Sequence, residues 1–344
     1  MAIKITPLKL AMAAIISAST LAGSFAQAAE VNIYSSRKQA LIKPLLDKFT
    51  EQTGIEVNLL TGNSDALLSR LKAEGENTPA DLFLTVDAGA LHRAVTANVF
   101  QAIDSEFAHK TVPAHFRDGD DQWVGLSLRA RPIFYSPDRV DPSQLENYMS
   151  LADDQWQDRI CIRSSNNIYN QSLVAALLDH YGEQKIMDWA KDLVDNFART
   201  PVGGDRDQIK GVAYGVCDIA VANTYYFGHM LNSDQAEERE AAEKVKIFWP
   251  AQNGNGTHVN VSGIGITKHA KHVDEATQLI EFLLSEASQK WYAEANYEYP
   301  VREGVEWSET LKQWGDFKQD DISMDILGEN NAEAVRLMNS AGWR

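Results

Sequence analysis

Tyr225 and Tyr226 stand side by side in Asn223-Thr224-Tyr225-Tyr226-Phe227, directly after the apolar run Ile219 to Ala222. That run reads as a β-strand, so the pair is expected at its carboxyl end. A tyrosine pair in such a place commonly buries one ring and leans the other on the surface. A second turn changes the reading. Tyr169 lies in Asn167-Ile168-Tyr169-Asn170, between a strand ending near Arg163 and a helix expected to begin at Asn170, which is suited to cap it. Two strand ends of one sheet then present tyrosine to the same edge, and three convergent phenols form an oxygen site for a hard, highly charged metal. Phenolate oxygen suits Fe³⁺ by the logic that gives carboxylate to Mg²⁺ and thiolate to soft metals. A free phenol titrates at about 10, so the ion itself must displace the protons, which takes a strong Lewis acid.

The elements that must position these residues form an α/β pattern. Val31 to Tyr34, Ile55 to Leu60 and Asp81 to Thr85 read as strands. The helices Ala40 to Thr53, Asp65 to Glu74 and Ala88 to Ala97 alternate with them, two of them stopped by Gly54 and Gly75. Near Trp123 the rhythm changes to extended segments, Trp123 to Leu128 and Ile133 to Tyr135, and a second α/β set follows. The expected fold is α/β with two lobes, each a mostly parallel sheet flanked by helices, with the ligand in the interlobe cleft. Residues 29–133 are expected to form an amino-terminal lobe to which 250–303 return. Residues 134–249 are expected to form a carboxy-terminal lobe to which 304–344 return.

The first residues read as an export signal. Lys4 and Lys9 precede the uncharged apolar run Leu10 to Ala22, and Ala26-Gln27-Ala28 is a small-x-small cleavage site. The run is too short to span a bilayer, which needs about 20 residues. The mature chain of 316 residues, 29–344, is long enough to divide its core in two. Loss of the two signal lysines takes the net charge from −16 to −18. Such a chain repels nucleic acid and anionic lipid but not a metal cation. The expected location is the periplasm, with no membrane insertion of the mature chain, and the expected state is a monomer. Cys161 and Cys217 are an isolated pair, expected to form a disulfide in an oxidising compartment; two buried thiols are the alternative.

The chain resembles a known family, the periplasmic ferric-ion-binding proteins of bacterial iron importers. The resemblance runs over nearly the whole mature chain. It is carried by VNIYSSR at Val31 to Arg37, FTEQTGIEV at Phe49 to Val57, LKAEGENTPADLFLTVDAGAL at Leu71 to Leu91 and WVGLSLRARPIFY at Trp123 to Tyr135. NIYNQSL, NTYYF and the late segment SGIGITKHAKHVDEATQLIEFLLSEASQKWYAEANYEYPV continue it. The resemblance implies Fe³⁺ as cargo, Tyr225, Tyr226 and Tyr169 as its ligands, and an inner-membrane ABC permease with its ATPase as partner. The sequence also departs from the family. Lys38 and Gln39 stand where many members have histidine or a His-Tyr pair, and Val86, with Asp87 beside it, where others have glutamate. The amino-terminal lobe is therefore expected to give few or no ligands. Three phenolates leave an octahedral ion three positions short, which the resemblance fills with a synergistic anion, carbonate or another oxyanion, or with water. Arg37 and Arg129 or Arg131 are the expected anion partners, since guanidinium binds planar oxyanions in a bidentate manner; a surface ion pair is the alternative for each.

Other motifs are set aside. Gly203-Gly204 lacks the Lys-Ser/Thr of a phosphate loop and is expected at a helix start or interlobe turn. His269 and His272 flank a surface helix, and Asp118-Gly119-Asp120-Asp121 lacks the spacing of a calcium loop. No nucleophile motif points to an enzyme, although a secreted hydrolase can lack one. The nearer rival is a binding protein of the same architecture for a polyamine or an oxyanion, whose site would use acids with aromatic walls, or backbone amides.

Overall fold

The computed structural model describes Met1 and residues 29–344; the rest of the signal segment read at 1–28 lies outside the described residues. The chain opens with β1 (Glu30–Ser35), α1 (Lys43–Thr53), β2 (Glu56–Thr61), α2 (Ser64–Glu74), β3 (Leu82–Thr85), α3 (Ala88–Thr96), β4 (Phe100–Gln101), α4 (Glu106–Thr111) and β5 (Val124–Ala130). It continues through β6 (Ile133–Tyr135), β7 (Ile160–Cys161), α5 (Ile168–Tyr181), α6 (Glu183–Asp195), α7 (Asp205–Ala213), β8 (Ile219–Val221), α8 (Thr224–Leu231), α9 (Ala236–Glu243) and β9 (Lys246–Phe248). The last part holds β10 (Val259–Thr267), α10 (Val273–Leu283), α11 (Glu286–Ala295), β11 (Tyr299–Pro300), α12 (Glu309–Gln313), α13 (Met324–Glu329) and α14 (Asn331–Ser340). No helix among the described residues is long and apolar enough to cross a membrane.

Local chemistry accounts for the first units. Pro44 pre-sets the first turn of α1, Leu45, Leu46 and Phe49 form its buried stripe, and Gly54 ends it in the left-handed region at φ 74°. Asn63 caps α2 by accepting from the N–H groups of Asp65 and Ala66. Strand β3, Leu-Phe-Leu-Thr, is buried along its whole length, as a strand covered on both faces must be.

Among the described residues two sheets form. The larger runs β11-β5-β10-β3-β1-β2, with β4 also on β10, and the smaller runs β7-β8-β6-β9. They are mixed rather than mostly parallel. Strand β1 pairs in parallel with β2 and β3, and β7 with β8, but β10 is antiparallel to β3, β4 and β5, and β6 to β8 and β9. The cause lies in the crossovers: β5 leads into β6 across two residues, and β9 reaches β10 through a turn at 250–255, so the chain passes between the sheets without helical returns. The tail expected wholly with the carboxy-terminal lobe divides. Leu311, Met324 and Leu327 pack in the core of the larger sheet, whereas Leu337, Met338 and Trp343 pack in that of the smaller.

The smaller sheet sets the site. Helix α5 follows β7 and α8 follows β8, and these strands are parallel neighbours with Cys161 opposite Ala220. Cys161, the last residue of β7, is disulfide-bonded to Cys217, two residues before β8. Gly211 of α7 lets the helix approach: a Cβ there would lie 3.0 Å from Cys161 Sγ and 3.2 Å from Cys217 Sγ. Denatured, unreduced protein should titrate no free thiol. The Cys161→Ser/Cys217→Ser protein should lose up to about 4 kcal/mol in denaturant unfolding, by loop-closure entropy.

Candidate metal centre

Each of the three tyrosines sits in the first turn of a helix. Tyr169 is the second residue of α5, which begins at Ile168, two residues earlier than expected. Asn167 holds the cap position, so Asn170 does not cap; its amide donates instead to the carbonyls of Arg163, at 2.8 Å, and Ser164, at 3.3 Å. Tyr225 and Tyr226 follow Thr224, the first residue of α8. Both helices leave the smaller sheet at the same edge, so their first turns adjoin. The hydroxyls of Tyr169 and Tyr225 are 3.3 Å apart, and the rings of Tyr225 and Tyr226 lie 4.1 Å apart between centroids, tilted by 32°. Neighbouring oxygens on an octahedral ion with bonds of about 2.0 Å lie about 2.8 Å apart, so small side-chain rotations suffice to present two of these phenols to one ion.

The three phenols share one cleft of about 230 Å³ with Arg37, Lys38, Val86 and Arg129. Burial pushes the Tyr225 phenol well above its ordinary range, and neighbouring Tyr169 and Tyr226 add to this because two adjacent phenolates repel. Burial likewise raises Tyr226, with Tyr169 next. Without a cation Tyr225 and Tyr226 therefore stay neutral and protonated. The three phenols offer hard oxygen, and no group of three or more His, Cys, Asp or Glu gathers among the described residues.

The arginines divide by their partners. Arg37 is buried and committed: Nη2 pairs with Glu298, Nη1 donates to Ser262 Oγ at 2.7 Å, and Nε donates to the Leu41 carbonyl at 3.1 Å. Arg129 is buried, gives one bond of 3.3 Å to the same Ser262 Oγ, and leaves its Nε without a partner. Arg131 does not line the cleft. It lies behind the phenols, bonded to Asp205, Asn223 and Asn170. Its guanidinium carbon is 5.9 Å from the Tyr169 ring centroid, and that of Arg163 is 5.7 Å. Cations beside an aromatic face are attracted by the ring quadrupole.

Three cleft residues escaped the sequence reading. Glu298 binds Arg37 and accepts from Ser127 Oγ at 2.8 Å. Arg206, just past Gly203-Gly204, reaches the cleft while paired to Glu238 at 2.9 Å. His229 lies four residues after Tyr225, and its Nε2 is buried without a partner. Burial lowers its affinity for a proton, with Arg206 next. Reading NTYYF as a helix start would have put Tyr225 and His229 on one face. Asp87 offers no free ligand. Its carboxylate caps α3 at Gly89 N, 2.8 Å, and accepts from Ser172 Oγ at 3.0 Å and Asn260 Nδ2 at 2.9 Å. His272 is paired with Asp81 at 3.0 Å, and Asp118 accepts from Asp120 N and Gln122 N within its own turn.

Comparison with known proteins places the chain among iron-binding relatives. The family model "Bacterial extracellular solute-binding protein" matches residues 77–319. Iron uptake protein A1 of Synechocystis sp. is 47% identical over 315 residues, 92% of this chain and 88% of that protein. The Trichodesmium protein IdiA (FutA), solved in complex with iron and citrate ligands, superposes with a TM-score of 0.88 at 45% identity, over 92% of this chain and 100% of that one. Apo ferric ion-binding protein A of Pasteurella haemolytica gives 0.85 at 42% identity, over 91% and 98%. The chain belongs to the bacterial extracellular solute-binding protein family, among its periplasmic ferric-ion-binding proteins.

Proposed function

We propose that this chain carries Fe³⁺ in the periplasm and delivers it to an inner-membrane ABC permease driven by an ATPase on another chain. The observation that carries the reading is the convergence of Tyr169, Tyr225 and Tyr226 in one cleft. A polyamine site would need carboxylates there, and Glu298, which lines the cleft, is committed to Arg37. Fe³⁺ supplies the charge that ionises the three phenols of the cleft, and three phenolates neutralise it. The lobes move about the two crossovers near 130–133 and 249–258, and arrival of iron favours the closed form that the permease accepts. The mature chain acts as a monomeric carrier rather than an enzyme. One visible spectrum after incubation with ferric citrate tests the reading. A ferric-phenolate charge-transfer band supports it, and a colourless, iron-free protein overturns it.

The other coordination positions take an oxyanion, carbonate being the expected one, or water. Arg129 is the better anion partner, because its buried Nε is unsatisfied whereas Arg37 is neutralised by Glu298. Lys38, on the same cleft wall, adds positive charge. In buffer stripped of carbonate, iron loading should fall and recover with added bicarbonate. Arg129→Ala should weaken that recovery more than Arg37→Ala. Full loading without any added anion in all three proteins would mean that a protein group closes the shell.

A further inference from the structure

Arg131 joins the interlobe crossover to the phenols. It stands between β5 and β6, so its backbone belongs to the passage from one sheet to the other. Its N–H donates to the His258 carbonyl at 3.0 Å, in the return passage, and its carbonyl accepts from Tyr148 Oη at 2.9 Å. Tyr148 Oη accepts in turn from His258 N at 3.1 Å, so one buried hydroxyl binds both passages.

The side chain reaches into the smaller lobe. Nη1 donates to Asn223 Oδ1 at 2.8 Å and to Asp205 Oδ2 at 3.2 Å, and Nη2 donates to Asn170 Oδ1 at 2.6 Å. Asn223 is the cap residue two positions before Tyr225, and Asn170 directly follows Tyr169. Asp205 closes the ring by accepting from Asn223 N at 2.8 Å. Arg131, Asp205, Asn170 and Asn223 are all buried. A planar guanidinium fixes the angle between its partners as well as their distance, which a lysine ammonium on a flexible stem cannot do.

We propose that Arg131 is the positioning residue of the phenol cluster, holding the first turns of α5 and α8 in the mutual register that brings Tyr169 to Tyr225 and linking that register to the crossover. The inference rests on the iron reading of the same cleft. It assigns to Arg131 a role in metal affinity without contact to the metal, as an outer partner of the ligand-bearing turns.

The test uses the full mature chain and ferric nitrilotriacetate. Arg131→Lys keeps the charge and loses the fork. It should lower iron affinity about 10- to 100-fold, the scale seen when an outer-shell partner is lost, and shift the charge-transfer band. Thermal melting of the metal-free protein reports folding separately. Should Arg131→Lys not fold, Asn170→Ala and Asn223→Ala each remove one arm of the fork. Each should shift the band, and the double variant should be markedly non-additive because both arms belong to one group. An unchanged band and affinity in these variants overturns the role. So does a lowered melting point with a wild-type band in the folded fraction, or strict additivity of the two asparagine changes. Wild-type protein without any band overturns the iron reading instead.

Discussion

Tyr226→Phe, Tyr225→Phe and Tyr169→Phe should each cost more than about 100-fold in Fe³⁺ affinity, above the range of outer-shell changes. Each removes an anionic oxygen and keeps the ring, so packing such as the 4.1 Å contact of the Tyr225 and Tyr226 rings survives. The metal-free fold should lose at most about 1 kcal/mol from Tyr169→Phe or Tyr225→Phe, because the hydroxyl contact between them, at 3.3 Å, is a weak hydrogen bond. Affinity and stability therefore separate, and competitive chelation beside a melting curve reads both. The band should lose intensity with each phenol removed, and a double variant should be colourless. Three variants that keep wild-type affinity and spectrum would place the metal elsewhere.

The two-sheet α/β architecture and the three phenols were legible because both rest on short-range rules. Apolar runs such as Ile219 to Ala222 and Leu82 to Thr85 signal buried strands, and a polar residue after such a run lies at a strand end. Helix starts were less legible. Nothing in Asn167-Ile168-Tyr169-Asn170 says which asparagine holds the cap position, and the choice turned on Arg131, 39 residues away in sequence, which engages Asn170 from across the sheet. Sheet polarity was misread for a similar reason. Alternating strands and helices imply parallel pairing, but β10 enters the larger sheet after a long excursion and pairs antiparallel on both sides. The arginines show the same limit. Arg37, Arg129 and Arg131 are alike as residue types, and only the positions of Glu298 and Asp205 show which of them are already neutralised. Those partners lie 261 and 74 residues away.

With the proposed three-phenolate site, iron affinity should fall by up to about 1000-fold for each unit of decrease in pH, because binding there would displace one proton from each phenol. The sign follows from the folded protein. Burial and neighbouring phenols hold Tyr225 and Tyr226 above the ordinary phenol value, so both are neutral at pH 7 and protons compete directly with the ion. For these two groups the proton-coupled window extends upward beyond about pH 10, the ordinary phenol value. Acidification therefore releases iron and alkalinity retains it. A bound bicarbonate that loses its proton adds to the slope, but equally in wild type and variants, so the informative quantity is a difference. Tyr169→Phe should reduce the slope of log affinity against pH by one proton, and so should Tyr226→Phe, each measured against a chelator of known proton linkage in the same buffer. A common slope for wild type and both variants would mean that the protons come from groups other than these phenols, and the three tyrosines would then line the cleft without ligating the ion.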